Sequence, residues 1–352
     1  MPNSVLIDFE RMKYPHTGLF HFCLHLGKNL SKYKKENQDL FFYLPKKLNG
    51  HFGNNVHYVN QHFFHKIFFP SQSKYKIWHA AQQGTEYFPF GAKCKKVLTI
   101  HDINFMYDVN KSDQKKATYL TDLTRKINES DVIVAISNFV MQDVLKHIFI
   151  SPEKRRVVYN GCNIIELENI VAPYNAPTTQ FLYSIGVIAE KKNFHVLPAL
   201  LKNNELQLII SGIVENEQYK NRIIEEAKKY GVESRVIFTG PVSENDKQWY
   251  YKNCTAFVFP SLSEGFGLPV IEAMYFGKPA ILSSTSSLPE VGGEYAYYFN
   301  NFEPEDMEKV LKESLLHYNT THPSTLIKKW ANSFSWEKAA KEYLEIYDSL
   351  GK

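Results

Sequence analysis

The sequence contains little cysteine, and the spacing of its cysteines does not fit a disulfide framework. There are four cysteines among 352 residues and no Cys-x-x-Cys pair. No basic segment followed by an apolar leader is visible at the N-terminus, so we expect a cytoplasmic protein with free thiols. His21 and His25 lie four residues apart with Cys23 between them. No second pair of ligands completes a tetrahedral set, so this spacing does not predict a zinc site.

Long apolar runs and several catalytic signatures are also absent. No stretch approaches the roughly 18–20 apolar residues that a membrane-spanning helix requires. The chain has no Asp-x-Asp to hold a divalent metal between diphosphate oxygens, and we expect no metal. The first predicted strand is not followed by Gly-x-Gly-x-x-Gly, and Gly-x-Ser-x-Gly does not occur. These absences argue against a dinucleotide oxidoreductase and against a serine hydrolase.

Acidic residues are scarce in the first half of the chain. Residues 1–160 carry 23 Lys and Arg against 13 Asp and Glu, a balance of +10, whereas residues 161–352 carry 18 against 24, or −6. The basic half predicts an anionic partner, either a membrane surface, which would place the protein at its inner face, or a phosphate-bearing acceptor. A solvated surface of scattered lysines explains the same count equally well. We expect no nucleic acid partner.

Short apolar segments alternate with predicted helices along the chain, a pattern typical of parallel α/β sheets. Predicted strands include residues 5–9, 132–136, 181–185, 206–210 and 256–259. Predicted helices include residues 113–129, a helix that Ser137 caps, and one between the strands 181–185 and 206–210. Residues 165–179 interrupt the alternation with two prolines and several polar side chains, which predicts a linker. The chain length and the restart of the pattern after this segment predict two α/β domains. In such domains, ligands bind at the carboxyl ends of the strands.

The most informative stretch, residues 260–279, joins a predicted strand to a predicted helix that begins at Pro269. Gly265 and Gly267 allow the backbone to approach a ligand closely, and a helix N-terminus favours an anion such as phosphate. Glu264 precedes the glycines and Glu272 lies one turn into the helix. The combination suggests a phosphate-bearing ligand rich in hydroxyl groups, and a nucleotide sugar fits. A strand–glycine–helix turn with solvated glutamates is the competing interpretation.

Residues 263–279 read Ser-Glu-Gly-Phe-Gly-Leu-Pro-x-x-Glu-Ala-Met-x-x-Gly-x-Pro and resemble the signature of the retaining family-4 glycosyltransferases. The resemblance extends over all 17 positions and is more specific than a pair of glycines. It implies the GT-B fold, in which two Rossmann-like βαβ domains face a central cleft. It also implies an acceptor domain at 1–165, a donor domain at 178–335 and a helix at 336–352 that returns to the first domain.

The resemblance implies that the second domain binds a nucleotide diphosphate sugar. Glu264 would bind a hydroxyl of the sugar, Glu272 the ribose hydroxyls, and Lys192 the diphosphate. The family has an arginine directly after Gly186, where this chain has Val187. The implied catalytic residues are Glu264, His101 and Lys192. The implied donor-binding residues are Gly186, Lys191, Lys192, Gly240, Pro241, Val242, Glu264, Gly265, Phe266, Gly267, Leu268 and Glu272.

The resemblance implies that the first domain binds the acceptor. His101 ends a predicted strand and matches a family histidine that contacts the transferred sugar, and Asp102 is a candidate to orient its ring. His79 also ends a strand, but a buried structural role is at least as well supported. The implied acceptor-side residues are Thr17, Gly18, Leu19 and Asp102.

The sequence therefore predicts a metal-independent, retaining hexosyltransferase without a cofactor, acting on a glycan or a lipid-linked saccharide. The resemblance is closest to bacterial mannosyltransferases of surface polysaccharide synthesis, which favours GDP-mannose as donor. Two alternatives remain open at this point. One is a nucleotide-sugar 2-epimerase or a phosphorylase on the same fold, and the other is a glycan- or nucleotide-binding protein without activity.

Overall fold

A computed structural model describes residues 3–15, 17–67, 69, 72–108 and 110–351. The chain forms two compact units. The first contains Met1–Gly161 and Ser335–Lys352, and the second contains Cys162–Phe334. The predicted linker, residues 165–179, groups with the second unit.

The described part of the first unit contains a seven-stranded parallel sheet with the order β3-β2-β1-β4-β5-β6-β7. Its central strands are buried on both faces, as expected for a parallel sheet covered by connecting segments. The strands are β1 (Asn3–Asp8), β2 (Gln38–Leu44), β3 (His57–Asn60), β4 (Ile77–Ala80), β5 (Lys95–Ile100), β6 (Val132–Ala135) and β7 (Arg155–Val157).

Three α-helices of the first unit connect parallel strands of its sheet. They are α1 (Gly18–Tyr33), α2 (Asp113–Glu129) and α3 (Asn138–Leu145). Ser137 caps α3 as predicted, because its Oγ accepts a hydrogen bond from Val140 N at 3.1 Å. The connection from β3 to β4 contains short 3-10 helices where its residues are described, and it packs on the sheet through the buried ring of Phe69.

The described residues of the second unit form a six-stranded parallel sheet with the order β10-β9-β8-β11-β12-β13. The strands are β8 (Phe181–Ile185), β9 (Gln207–Ser211), β10 (Val236–Gly240), β11 (Ala256–Phe259), β12 (Ala280–Ser283) and β13 (Tyr297–Phe299). The helices are α4 (Glu217–Lys229), α5 (Glu244–Asn253), α6 (Leu268–Tyr275), α7 (Leu288–Gly292), α8 (Pro304–Thr321) and α9 (Ser324–Asn332).

The last helix, α10 (Trp336–Leu350), belongs to the first unit. It packs against α1, and its side chains reach the sheet. Tyr343 OH lies 2.9 Å from Thr99 Oγ1, and Tyr347 OH lies 2.7 Å from His79 Nδ1. His79 Nε2 lies 2.8 Å from Thr99 Oγ1, so both ring nitrogens are used inside the core. His79 is thus a buried structural histidine.

Some elements of the structure differ from what the sequence predicts. The segment after β8 was expected to be an α-helix, but Phe194–Leu201 is a 3-10 helix with Pro198 inside it. Proline lacks the N–H that an α-helical hydrogen bond needs, which explains the difference. The edge strand β3 was not predicted, because its residues His57–Asn60 include few apolar side chains and lie at the half-exposed margin of the sheet.

Among the described helices, none is long and apolar enough to cross a membrane.

Candidate functional site

The carboxyl end of the second sheet brings together the predicted donor-binding residues. The strand order reverses between β8 and β11, because β9 and β10 lie on one side and β12 and β13 on the other. Ligands of doubly wound sheets bind at such a switch point. Lys192 follows β8 and Glu264 follows β11. Both residues therefore lie where the topology favours a ligand.

Glu264 and Lys192 form a mostly buried ion pair. Lys192 Nζ donates to Glu264 Oε1 at 2.5 Å, and Ser261 Oγ donates to the same oxygen at 2.6 Å. The Lys192 and Glu264 side chains are 11% and 15% exposed. Lys192 Nζ also lies 4.9 Å from the ring centroid of Phe259. The ammonium group is held by charge-assisted and cation–π contacts, and Glu264 Oε2 takes part in neither hydrogen bond.

Serines between β12 and α7 hold the backbone of the glycine loop. Glu264 N donates to Ser286 Oγ at 3.2 Å. Ser287 Oγ lies 3.0 Å from Glu264 O and 2.9 Å from Phe266 O. Sequence reasoning missed these serines, and the one signal for them is the polar run at residues 283–287. They fix the loop from a neighbouring strand end.

Gly267 makes the turn that leads from this loop into α6. Its φ of 100° lies in the left-handed region, and a Cβ there would lie 2.8 Å from Leu288 Cδ2. The helix begins at Leu268, one residue earlier than the predicted start at Pro269. The ring of Phe266 is buried against Phe334 at a centroid distance of 5.6 Å, so of this residue only the backbone can serve a ligand.

Glu272, the predicted ribose ligand, lies buried on α6 within a polar network. Asn163 Nδ2 donates to Oε1 at 3.2 Å, Tyr251 OH donates to Oε2 at 3.0 Å, and Lys247 Nζ lies 3.7 Å from Oε2. A carboxylate has about four acceptor sites, so further hydroxyl groups can still bind. Burial and the nearby Glu272 raise the pKa of the Cys162 thiol to about 12, which keeps it protonated. Sequence reasoning did not identify these partners.

The strand ends beside Lys192 approach each other closely. A Cβ on Gly212 would lie 1.8 Å from Gly186 O, so a glycine is required there. Gly186 N donates to Ser211 O and Gly212 N donates to Gly240 O, both at 2.9 Å, which links the ends of β8, β9 and β10. Lys191 is exposed, and its carbonyl accepts from Leu262 N at 2.9 Å. Val187, where the family has an arginine, is 38% exposed. The other two predicted residues of this edge, Pro241 and Val242, follow β10 directly.

In the first unit, His101 lies buried at the end of β5. Its Nε2 lies 2.9 Å from Ala81 O, which makes Nε2 the protonated nitrogen of the ring. The ring also packs edge-on against Phe22 at 4.5 Å. Burial lowers the pKa of His101, against the opposing effects of Ala81 O and Asp102, so the imidazole is neutral at pH 7.

The predicted role of Asp102 in orienting this ring is wrong. Asp102 Oδ1 accepts a hydrogen bond from Asn104 N at 3.0 Å and so caps the turn that follows. The carbonyl of Ala81 holds the imidazole instead. A backbone acceptor of this kind has no signature in the sequence.

The other predicted acceptor-side residues form the start of α1. Thr17 is the N-cap, since its Oγ1 accepts from Phe20 N at 3.2 Å and donates to Tyr14 O at 2.9 Å. Gly18 and Leu19 are the first residues of the helix. A Cβ built on Gly18 would have no atom within 4 Å.

An acidic cluster at the end of β1 was not predicted. Asp8 Oδ1 accepts from Glu10 N at 3.0 Å, and Asp8 Oδ2 accepts from Thr85 Oγ1. Burial raises the pKa of Asp8 to about 6. Glu10 pairs with Lys13 Nζ at 2.7 Å and with Arg11 Nε at 3.0 Å. The signal that sequence reasoning overlooked is an acid directly after the apolar segment 5–7.

The His21–Cys23–His25 spacing does not produce a metal site in the structure. The two imidazole rings stack with centroids 6.3 Å apart, and Cys23 is buried. Across the ranges that the structure describes, no group of three or more His, Cys, Asp or Glu side chains is arranged to hold a metal ion.

Two family models match the chain in succession. The model described as "Glycosyltransferase Family 4" matches residues 40–165, and the one described as "Glycosyl transferases group 1" matches residues 168–326. Together they match most of both units.

Curated relatives include bacterial mannosyltransferases. The serotype-specific mannosyltransferase WbdA of Escherichia coli is 29% identical over 280 residues, which is 73% of this chain and 34% of WbdA. The O-antigen chain mannosyltransferase B of Escherichia coli is 24% identical over 274 residues, which is 73% of this chain and 71% of that protein. The chain thus spans about a third of the length of WbdA.

Solved structures share the fold over nearly the whole chain. The sucrose-phosphate synthase of Thermosynechococcus elongatus has a TM-score of 0.77 at 16% identity, with 99% of each chain covered. Anabaena HepE in complex with UDP-glucose has a TM-score of 0.73 at 16% identity, covering 98% of this chain and 99% of that one.

These likenesses and the two parallel sheets confirm the predicted fold class, GT-B with two Rossmann-like domains. The two consecutive family models and the switch-point position of Glu264 and Lys192 also agree with the resemblance seen in the sequence. The chain belongs to glycosyltransferase family 4.

Proposed function

We propose that the protein transfers a hexose from a nucleotide diphosphate sugar to a hydroxyl group of a glycan or a lipid-linked saccharide, with retention of the anomeric configuration. The observation that carries the proposal is the Glu264–Lys192 pair at the switch point of the second sheet. It combines a cation suited to a diphosphate with a carboxylate oxygen suited to a sugar hydroxyl. Family membership supports the reaction class.

The proposed reaction exchanges one bond at the anomeric carbon. The bond from C1 to the donor's phosphate oxygen breaks, and the acceptor oxygen forms its bond to C1 on the same face. The acceptor's proton passes to the departing phosphate oxygen, so no protein base is consumed. The protein's contribution is to position the reactants and to stabilise charge on the leaving diphosphate.

Four of the predicted residues have a defined part in this scheme. Lys192 and the N-terminus of α6 balance the negative charge of the diphosphate, since free N–H groups and the helix dipole favour anions there. Glu264 Oε2 accepts a hydroxyl of the sugar, while Oε1 stays bound to Lys192 and Ser261. Glu272 binds the ribose. His101, neutral and fixed by Ala81 O, contacts the transferred sugar.

The donor is proposed to be GDP-mannose. Its support is that two relatives are named as a serotype-specific mannosyltransferase and an O-antigen chain mannosyltransferase. The proposal also includes independence from metal ions, because Lys192 and the α6 N-terminus supply positive charge. The basic first half supports an acceptor presented at a membrane surface.

The test is a binding and transfer experiment with a panel of donors. Thermal unfolding is measured with GDP, UDP and ADP and with their sugars, because a ligand that binds the native state raises its apparent stability. The donor that binds is then incubated with an acceptor panel, and the anomeric configuration of the product is determined by NMR. GDP-mannose and a retained linkage are expected.

Other outcomes of this experiment contradict the proposal in distinct ways. Stabilisation by UDP alone removes the GDP assignment but leaves the reaction class. An inverted product rules out retention. Isomerisation of the sugar without an acceptor indicates an epimerase, release of a sugar phosphate from a glycan indicates a phosphorylase, and binding without any turnover indicates a non-catalytic protein.

A further inference from the structure

A long segment of the first unit contains no acidic residue. Residues 40–85 include no Asp, Glu or Arg, but five lysines and five histidines. All five lysines are exposed, at positions 46, 47, 66, 74 and 76. The nearest acidic residues in sequence, Asp39 and Glu86, flank the segment, so no side chain within it neutralises the charge of its lysines. This segment includes most of β2 and all of β3 and β4.

Large apolar side chains point outward from the same segment. Phe63 is 68% exposed, Phe64 is 64% exposed and Ile67 is 83% exposed. Phe63 and Phe64 begin the short 3-10 helix Phe63–Lys66 that follows β3, and Ile67 is its C-cap. We call these three side chains the apolar tip. Isolated exposed apolar residues are common, but three within five positions form a local feature.

Inward contacts hold the apolar tip in its outward position. Phe69 is buried, with its ring centroid 5.2 Å from that of Tyr43, and the ring of His65 lies 4.8 Å from Phe69. His62 N donates to Tyr43 OH at 3.2 Å. The segment therefore has an inner side that packs on the sheet and an outer side that carries the apolar tip.

Two lysines lie on the loop after β2, which begins next to the loop that carries the apolar tip. Leu44 and Asn60 are partners in the register of β2 and β3, and Gln61 N donates to Leu44 O at 2.9 Å. The loops that follow these strands thus begin at the same edge of the sheet, and Lys46 and Lys47 lie on the first of them. Lys66, within the 3-10 helix, pairs with Glu86 at 2.6 Å and lies 5.3 Å from the Phe63 ring centroid.

We propose that this surface docks on an anionic lipid bilayer, with the apolar tip inserted at the boundary between headgroups and acyl chains and Lys46 and Lys47 against lipid phosphates. Aromatic and aliphatic side chains flanked by lysines suit that boundary. The bases of a single-stranded nucleic acid could stack on the two phenylalanine rings, but the aliphatic Ile67 offers no ring for stacking. The inference rests on the proposed function, since it specifies the membrane surface at which a lipid-linked acceptor is used.

The test is co-sedimentation of the full chain with vesicles, in the absence of donor and acceptor. Vesicles of phosphatidylcholine alone are compared with vesicles of phosphatidylcholine and phosphatidylglycerol. We expect binding to the anionic vesicles that weakens as salt is raised, because the lysine contribution is screened. The K46E/K47E variant should lose affinity by about tenfold or more. The F63S/F64S variant should lose a comparable factor.

Matched variants separate the apolar tip from general effects. Phe149, 79% exposed elsewhere in the first unit, gives the control F149S for lost apolar surface. Lys309 and Lys312, exposed on α8 of the second unit, give the control K309E/K312E for lost charge. Both controls should bind like the unchanged protein. Thermal unfolding of each variant verifies that the fold is kept, which the exposure of these side chains leads us to expect.

The readout distinguishes this inference from the proposed function. Vesicle binding is measured without catalysis, and transfer to a soluble acceptor should be the same for F63S/F64S and the unchanged protein. Equal vesicle binding by F63S/F64S and F149S, or no preference for anionic vesicles, overturns the inference. Tight binding to a single-stranded oligonucleotide that F63S/F64S abolishes, without vesicle binding, also overturns it and assigns the surface to nucleic acid.

Discussion

At the scale of single residues, the two oxygens of Glu264 differ in what they bind. Oε1 accepts from Lys192 and Ser261, so the carboxylate is oriented before any ligand arrives. For the E264Q variant we expect kcat for hexose transfer to fall by about a hundredfold or more, because the amide offers a weaker and neutral acceptor to the sugar. Nucleotide affinity, measured by thermal shift or calorimetry, should change little.

The E272Q variant is the matched comparison for this prediction. It should weaken nucleotide binding by roughly tenfold or more, because hydrogen bonds to a charged acceptor are the stronger ones. A large loss of nucleotide affinity in E264Q with none in E272Q would reverse the two assigned roles. Gln keeps one oxygen that can accept from Asn163, and its NH2 group can donate to the hydroxyl oxygen of Tyr251, so the local network is expected to survive.

His79 predicts how stability depends on pH. Burial, with a smaller contribution from His101, lowers the pKa of His79 from 6.5 to about 3. The unfolded chain therefore takes up a proton below about pH 6.5 while the folded chain does not, and stability falls as pH decreases through that window. As the pH decreases from 6.5 to 5, we expect His79 to lower the free energy of unfolding by about 2 kcal/mol.

The measurement is urea unfolding of the unchanged protein and of H79Q at several pH values. Asp8 acts in the opposite direction, because its pKa is raised to about 6 and the folded state then binds its proton first. Asp8 contributes equally to both proteins, so the difference between their unfolding free energies reports the contribution of His79 alone. If the unfolding free energies of the two proteins keep a constant difference from pH 7 to pH 5, His79 does not titrate as described.

Residue patterns could name candidate site residues only where the information lies in the local sequence. Glu264 and Lys192 could be named because a glycine loop and a cationic turn are contiguous features. Ser286, Ser287 and Asn163 could not, because their contacts depend on which strands become neighbours. The error at Asp102 has the same origin, since the carbonyl of Ala81 comes close to His101 only when β4 and β5 pair.

At the scale of elements, α10 depends on a glycine far away in the chain. A Cβ on Gly161 would lie 2.1 Å from Trp336 N and 2.6 Å from Trp336 Cγ. The G161A variant should therefore lose about 1–3 kcal/mol of unfolding free energy, because the helix start must shift. Chemical unfolding measures the loss.

The control for this substitution is G18A, at a glycine with open space around it. It should leave stability unchanged or raise it by up to about 1 kcal/mol, because alanine is the better helix former. Equal stability of G161A and the unchanged protein would contradict this prediction, because it would show that the first residues of α10 can shift without loss of unfolding free energy.

Elements with a strong pattern were predicted well, and weakly patterned ones were not. The strands 181–185 and 256–259 have the predicted bounds, because each is a short and mostly apolar run that ends at a glycine or a proline. The helix α2 is also as predicted, at Asp113–Glu129. The short helix Leu288–Gly292 was missed, because five residues with a proline provide too little periodicity.

At the scale of the whole molecule, the proposed chemistry makes a prediction about metal ions. Activity should persist after dialysis against EDTA, because Lys192 and the N-terminus of α6 are proposed to supply the positive charge that the diphosphate needs. The transfer rate is measured before and after chelation and again with added Mg²⁺ or Mn²⁺. A rate that is lost on chelation and restored by either ion contradicts metal independence.

The position of α10 has a consequence for synthesis on the ribosome. The second unit is one continuous segment, whereas the first needs Ser335–Lys352 to be complete. At about 5–20 residues per second, the intervening 173 residues take on the order of 10 to 35 s to translate. During that interval Thr99 and His79 lack their tyrosine partners, and the face of the sheet that α10 covers is bare. The nascent first unit is therefore expected to be a chaperone client until the segment Ser335–Lys352 has been made.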